Sequence, residues 1–346
     1  SCRNHSPFTI HHSPFTIHDL PVSAVTRILL VKTSSLGDVV HNLPVVSDLL
    51  SAAPGSEIDW VVEESFAAIP RLHAGVTRVL PVAVRRWRSS LLSAAARAEI
   101  GAFTRELKLR PYDAVIDTQG LLKSAWIAWL ARGTRHGLDF ASAREPLASF
   151  YDRTYSVPWT MHAVERNRAL AAQALGYAVP AQLDYGIAAS AAVFAWLPRG
   201  RYAVLLHATS ARSKLWAVKR WVELGTRLSR CGLASVLTWG NAAERLRAEE
   251  IAGSVPGAAV APGLPLADAA RLLAGAQAVV GVDTGLTHLA AALGLATVGI
   301  YCATDPAATG LYGGARAVNL GGIGKPPSVL DVLAALEQLR VMSDGQ

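Results

Sequence analysis

Short β-branched apolar runs alternate with helical patterns along the whole chain, which restricts it to βα units wound around parallel sheets. Two series are visible. The first has strand candidates at Arg27–Lys32, Ile58–Val62, Val79–Val82 and Ala114–Asp117, with helices starting near Asp38 and spanning Ala94–Leu107 and Leu122–Ala131. The second places strands at Tyr202–Leu206, Ser235–Trp239, Ala258–Ala261, Ala278–Val282 and Thr297–Tyr301. A helical segment at His162–Leu175 and an aperiodic stretch from Gly176 to Gly186, with Pro180 inside it, lie between the series and read as a linker. Trp221, Leu224, Leu228 and Cys231 recur at helical spacing and should face a sheet. Ser328 caps a last helix over Val329–Leu339, with Asp331 three positions on. With 346 residues, 51% of them hydrophobic, two ordinary cores fit. The expected architecture is α/β, two Rossmann-like domains with parallel sheets facing each other across a cleft, at 26–180 and 181–325, with a helix and tail at 326–346. Ligands should then meet the loops at the carboxyl ends of the strands.

The net charge of +7 is dispersed: Lys and Arg outnumber Asp and Glu by 19 to 16 over 1–185 and by 14 to 10 over 186–346. Such a surplus suits an anionic substrate or an acidic membrane surface and argues against a dedicated nucleic-acid arm. The three cysteines, Cys2, Cys231 and Cys302, are too scattered for a disulfide framework or a thiolate zinc site, so a reducing cytoplasm is expected. His5-Ser-Pro-Phe-Thr-Ile-His11 is repeated at once as His12–His18. Residues 1–25 are therefore set aside as an artefact of the start site or a disordered extension, with metal binding by the histidines as the alternative. The uncharged stretch Thr284–Thr304 is long enough to span a membrane but carries Thr287 and His288 near its start, and reads as helix plus strand.

Three loops carry chemistry-bearing residues. The first follows Ile28–Lys32 and runs Thr33-Ser-Ser-Leu-Gly-Asp38 into a helix. Asp38 reads either as a helix cap or as a general base held ionised by the helix N-terminus. The loop has neither Walker A nor GxGxxG spacing. The second, His207-Ala-Thr209-Ser210 with Lys214 and Trp216, offers hydroxyl donors and an ammonium suited to a diphosphate, or is an ordinary polar loop. The third, Asp283-Thr-Gly-Leu-Thr-His288 after Val279–Val282, exposes the N–H groups of a helix start to an anion, with Gly285 permitting close approach. A carboxylate beside a phosphate is unfavourable unless it faces something else, so Asp283 is assigned to sugar hydroxyls. His288 reads either as part of the pocket or as a hydrogen-bonded core histidine. Glu244, past Ser235–Trp239, is a ribose ligand or a solvated helical Glu.

These motifs together resemble the bacterial lipopolysaccharide heptosyltransferases of glycosyltransferase family 9. The resemblance runs from about Arg27 to Leu339 through Asp59-Trp-Val-Val-Glu-Glu64, Val115-Ile-Asp-Thr-Gln-Gly120 and His162-Ala-Val-Glu-Arg166. Arg85-Arg-Trp-Arg88 and Arg144-Glu-Pro-Leu-Ala-Ser149 are similar to the branch that adds the first heptose of the inner core. The resemblance implies a GT-B fold and an inverting transfer that needs no metal or cofactor, from ADP-L-glycero-D-manno-heptose to the Kdo residue of Kdo-lipid A. It implies Asp38 as catalytic base and Thr209, Ser210, Lys214, Glu244, Asp283, Thr284, Gly285, Leu286 and His288 as donor contacts. Lys32, Ser35, Arg85, Arg86, Arg88, Gln119 and Arg144 become acceptor contacts, the arginines meeting phosphate or carboxylate instead of forming a solvated basic face. Trp87 anchors its loop or meets the membrane interface. Ser210 in place of Thr keeps the hydroxyl, whereas Cys302-Ala303 before Thr304-Asp-Pro306 replaces Gly-Pro and puts local loop geometry in question. The implied protein is a cytoplasmic monomer that attaches transiently to the anionic inner face of the inner membrane and binds no nucleic acid. A later heptosyltransferase with a heptose acceptor, or a nucleotide-sugar-binding protein without catalysis, are the alternatives.

Overall fold

A computed structural model of the chain describes residues 26–90 and 93–341, so the duplicated heptamer lies outside the described residues. The first half contains β1 (Arg27–Val31), α1 (Leu36–Val40), α2 (Leu43–Ala52), β2 (Glu57–Glu63), β3 (Arg78–Val82), α3 (Val84–Ser89), α4 (Ala94–Lys108), β4 (Ala114–Asp117), α5 (Leu122–Leu130), β5 (Thr134–Leu138), β6 (Arg153–Tyr155) and α6 (Ala163–Leu175). The second contains β7 (Tyr202–Leu206), α7 (Val218–Arg230), β8 (Ala234–Leu237), α8 (Ala242–Gly253), β9 (Ala259–Val260), α9 (Leu266–Ala274), β10 (Ala278–Val282), α10 (Gly285–Ala292), β11 (Thr297–Tyr301), α11 (Pro306–Thr309), β12 (Ala317–Gly321) and α12 (Val329–Gln338).

All paired strands run parallel, and the two sheets share one topology. The first is ordered β3-β2-β1-β4-β5-β6 and the second β9-β8-β7-β10-β11-β12. Counted from its own first strand, each sheet reads 3-2-1-4-5-6, the doubly wound order. The winding direction reverses between β1 and β4 in one sheet and between β7 and β10 in the other. At such a reversal the two flanking loops turn to opposite faces and leave a crevice. The loops after β1, β4, β7 and β10 therefore define where ligands can enter.

Period-two alternation distributes the strand side chains between three cores. Ile28 and Leu30 point into a shared central core with Val204, Leu206 and Leu289, so the inner faces of the two halves are one continuous apolar body. Leu29 and Val31 point outward to Phe103, Leu107 and Ile127. Ala203 and Leu205 face Trp221, Leu224 and Leu228, as the helical spacing of α7 predicted, whereas Cys231, expected on the same face, is exposed because the helix ends there. Each fully buried Leu, Ile or Val side chain contributes about 1.5–3 kcal/mol relative to exposure. The closing helix α12 joins that outer layer through Val332 and Leu336. Trp216 ties it to the second sheet, packing edge-on to Trp221 at 5.0 Å and donating from Nε1 to the Pro327 carbonyl at 3.0 Å. The predicted linker leaves α6 at Gly176, whose φ of 71° is left-handed. Arg168 pins that segment, bonding Asp48 at 2.8 Å and the carbonyl of Pro180 at 2.7 Å.

The halves meet where α1 lies against α10. A Cβ on Gly285 would collide with the base of the Leu36 side chain, and one on Gly37 would come within 3.3 Å of His288. Gly285 is therefore required by helix-to-helix approach, in addition to lining the cavity at the helix start. Gly285→Ala should cost about 1–3 kcal/mol through overpacking at this seam. Leu36→Gly, which removes both clashing carbons, should make the added methyl at 285 much less costly, measured by comparing the melting shift of Gly285→Ala in the wild-type and Leu36→Gly backgrounds. No rescue by the second substitution would show that the penalty arises elsewhere.

Candidate functional site

The loop after β1 is fixed from below by the loop after β4. Gln119 Oε1 accepts from the backbone N–H groups of Thr33 at 3.0 Å and Ser34 at 2.9 Å, holding the loop open toward the cleft. Ser35 is the N-cap of α1 and Asp38 its third residue, so Asp38 caps the helix as the N3 member of a capping box and not as the N-cap residue itself. The Asp38 Oδ2 atom accepts from Ser35 N at 2.7 Å and Ser35 Oγ at 2.9 Å. Both bonds fall on one oxygen. The carboxylate is oriented while its other oxygen takes no hydrogen bond from the described residues.

Two cavities meet at Asp38. The one beneath the first sheet's reversal, about 200 Å³, is lined by Lys32, Asp38, Gln119, Arg144, Arg166 and Asn167 among others. The other, about 390 Å³, is lined by Ser35, Asp38, Arg85, Thr209, Ser210, Lys214, Asp283, Thr284, Gly285 and His288. Asp38 and Thr309 belong to both walls.

The first cavity is strongly cationic, and Asp38 is the sole acid in its lining. Lys32 is buried, donating from Nζ to the Thr118 carbonyl at 2.8 Å and to Asn167 Oδ1 at 3.3 Å, both neutral acceptors. Burial lowers its pKa, while Asp38 and Asp117 pull the other way. Arg166 stacks on Trp159 at 3.6 Å, and its Nε is buried without a hydrogen-bond partner. Two desolvated cations, Lys32 and Arg166, with the exposed Arg144 beside them, suit an anionic group at this opening.

In the second cavity the buried Asp283 is surrounded by protein donors. Its Oδ2 accepts from Lys214 Nζ at 2.8 Å and Thr304 Oγ1 at 2.7 Å, and its Oδ1 lies 3.3 Å from His288 Nε2. Burial alone would raise its pKa, yet these hydrogen bonds from His288, Lys214 and Thr304 hold it well below the usual carboxylate range. The assignment of Asp283 to sugar hydroxyls is thus corrected: in this structure its carboxylate holds Lys214 at the mouth of the cavity. The unusual Cys302-Ala303 pair leaves this bond from Thr304 intact. Thr209 Oγ1 donates to the Asp283 carbonyl at 3.0 Å and so joins the loops after β7 and β10. Thr284 caps α10, whose first N–H groups open toward the same space.

A histidine chain continues across the seam. His288 is buried and lines the cavity, so both of its readings hold. Its Nδ1 lies 3.1 Å from Nε2 of His41, the residue that ends α1. His288 thus bridges the Asp283 carboxylate on one ring nitrogen and His41 on the other. His41 meets the ring of His162 edge-on, and His162 stacks on Tyr312 at 4.3 Å. Among the described residues no group of three or more His, Cys, Asp or Glu side chains is arranged to hold a metal ion.

Several assignments change. Arg86 is removed from the acceptor contacts: it pairs with Glu64 at 3.1 Å and with Glu99 at 2.7 Å, a clamp that fixes α3. Trp87 is an anchor, buried and donating to Glu99 at 2.8 Å. Arg85 lines the second cavity, whereas Arg88 lies on a separate groove. Leu286 packs into the central core and is absent from both cavity linings, so only its backbone N–H can serve a ligand. Glu244 caps its own helix, accepting from Gly240 N at 2.7 Å and Asn241 Nδ2 at 2.8 Å, and lies outside both linings. Sequence reasoning overlooked His41, Asn167 and, as a site residue, Arg166, although Arg166 stood in a motif already singled out.

Two doubly wound sheets with their reversals opposed over one carboxylate, a lysine and a helix N-terminus define a GT-B glycosyltransferase. The profile of glycosyltransferase family 9 (heptosyltransferase) matches residues 100–330, and the chain belongs to that family. It is 50% identical over 298 residues to lipopolysaccharide heptosyltransferase 1 of Pseudomonas aeruginosa, covering 85% of this chain and 83% of that one. Its counterpart in Escherichia coli K12 is 49% identical over 290 residues, covering 83% and 91%. Among solved structures, E. coli heptosyltransferase WaaC with ADP superposes with a TM-score of 0.83 at 44% identity, covering 91% of this chain and all (100%) of that one. E. coli ADP-heptose lps heptosyltransferase II, at 20% identity and a TM-score of 0.71 over 92% of this chain and 100% of that one, shares the fold.

Burial lowers the pKa of His136, His162 and His207 to about 4 in each case. The unfolded chain takes up these protons near pH 6.5 while the folded chain resists until about 4, so stability rises with pH through that window and is lost as pH falls. The urea midpoint should therefore drop from pH 7.5 to pH 5, and His162→Gln should shallow the slope. A midpoint flat across that range would contradict the assignment of neutral buried rings.

Proposed function

We propose that this chain transfers L-glycero-D-manno-heptose from ADP-heptose to the Kdo residue of Kdo-lipid A, with inversion and without a metal, in building the lipopolysaccharide inner core. The observation that carries this reading is that Asp38 stands on the wall common to both cavities. The donor is assigned to the second cavity, where Lys214, the Thr209 and Ser210 hydroxyls and the N-terminus of α10 supply positive potential for a diphosphate. Related proteins support that side: a second WaaC structure, at 44% identity and a TM-score of 0.79, is described with ADP-2-deoxy-2-fluoro heptose. The acceptor is assigned to the cationic cavity, whose Lys32, Arg144 and Arg166 suit the carboxylate of a sugar acid. A neutral heptose acceptor would leave those cations uncompensated, which favours this reading over a later heptosyltransferase.

In the proposed step Asp38 takes the proton of an acceptor hydroxyl as that oxygen bonds to the anomeric carbon. The bond from that carbon to the β-phosphate oxygen breaks from the opposite face, its electron pair leaves on ADP, and the configuration inverts. Lys214 and the N–H groups of α10 take up the charge that grows on the leaving diphosphate. Asp283 loses part of its hold on Lys214 to the phosphate and remains paired with Thr304 and His288. Glu244 is assigned to the ribose from its place at the end of β8, beside β7, after release from its own cap. The halves at 26–180 and 181–325 act as acceptor and donor domains. Among the described residues no helix is long and apolar enough to cross a membrane. Peripheral attachment of a monomer to the cytoplasmic face of the inner membrane completes the proposal.

Asp38→Asn should lower transfer by about 10²–10⁴-fold while leaving the dissociation constant for ADP unchanged, measured by ADP release and by calorimetry. Retained turnover would make Asp38 a structural cap only. Turnover should persist in excess chelator, and Lys214→Ala should weaken ADP binding. ADP release with Kdo-lipid A but not with a heptosylated acceptor is expected; the reverse preference would sink the acceptor assignment.

A further inference from the structure

We propose that the groove along the outer side of α5 is a subsite for an acyl chain of the lipid-linked acceptor. This inference rests on the acceptor reading above. The groove, about 790 Å³, is floored by Val84, Leu121, Leu122, Trp126 and Phe150. Leu121 lines this groove and also the cationic cavity, so an acceptor seated beside Asp38 has a continuous path onto an apolar surface.

The helix turns its other side fully into the core, while the groove side packs on it only in part, through Val84, Trp126 and Phe150. Ala125, Ile127 and Ala128 are fully buried against the outer core of the first sheet. Leu122 and Trp129 are each 56% exposed, with the half-buried Trp126 between them. Positions 122, 126 and 129 lie on one stripe at helical spacing, and at 1.5 Å per residue it runs about 10 Å away from the cavity. An apolar stripe of this kind marks an interaction surface.

Charge selects the occupant. Arg88 and Lys123 border the groove, and no carboxylate pairs with either among the described residues. Lys123 reaches back to Ser34 Oγ at 2.5 Å, in the loop that leads to Asp38. The one acid on the groove, Glu145, accepts from the Leu122 N–H at 2.5 Å and so compensates the N-terminus of α5. The apolar floor and a rim whose cations, Arg88 and Lys123, outnumber its one acid together fit an apolar chain hung from an anionic headgroup, although Glu63 and Asp38 lie within electrostatic reach of Lys123. A second copy docked face to face would set the same cations against each other.

The test compares detergent-dispersed Kdo-lipid A with its fully deacylated form, using the full chain and ADP release. For Leu122→Glu, KM should rise about tenfold with the acylated acceptor, while kcat/KM with the deacylated acceptor stays at the wild-type value. Trp126→Gln should act in the same direction. Equal effects on both acceptors, or none on either, would overturn the subsite. So would a variant that keeps KM for the dispersed acceptor but no longer sediments with phosphatidylglycerol vesicles, since the stripe would then be a general membrane contact. Wild-type chain inactive on both acceptors would instead defeat the parent reading.

Discussion

The contact of α1 with α10 is the constraint on which the site depends. Each helix begins at the reversal of its own sheet, and each carries half of the proposed site: Asp38 on one, the N-terminus assigned to the diphosphate on the other. Paired glycines let the two backbones approach, and Leu36 fills the space left by the missing Cβ of Gly285. The distance between base and donor pocket is thus set by packing between helices, which is stiff, instead of by loops. The hydrogen bond between His41 and His288 adds a directional element, because helix rotation by one residue would remove it.

The second organising element is the buried carboxylate of Asp283. A lone acid near a phosphate site would repel the ligand. Here it is compensated by a lysine, a hydroxyl and an imidazole, so the pocket keeps Lys214 oriented without presenting a bare negative charge. Breaking a pair of this kind leaves an uncompensated buried charge, which costs more than the pair contributes when intact. The same reasoning runs inverted in the other cavity, where Lys32 and Arg166 lack acidic partners and remain available to an anion.

Central features of the fold were legible because burial enforces pattern. Ala114–Asp117, Tyr202–Leu206, Ala278–Val282 and Thr297–Tyr301 match β4, β7, β10 and β11 at both ends, each being wholly buried and apolar but for Asp117 and Thr297 at strand ends. Three strands escaped for the complementary reason. Thr134–Leu138, Arg153–Tyr155 and Ala317–Gly321 are partly exposed and carry polar residues or glycines, so no apolar run marks them, although the edge strands β3 and β9 were anticipated. Local motifs located Asp38, Lys214 and the Asp283 loop. What they lacked was partner identity, since Glu64 and Glu99 silence Arg86 from 22 and 13 residues away. Asn167 meets Lys32 across 135 positions, a separation that only the sheet order closes.

The repetition of one strand order in both sheets has a further meaning. Each half brings a sheet reversal of its own, built from its first and fourth strands, and neither borrows a strand from the other. Most of each cavity wall can therefore change by exchange of loops in one half, while Ser35, Asp38 and Arg85 on the second cavity and Thr309 on the first tie the two together across the seam. The molecule is in this sense modular: its two specificities are separable inheritances, and only their meeting point is held in common.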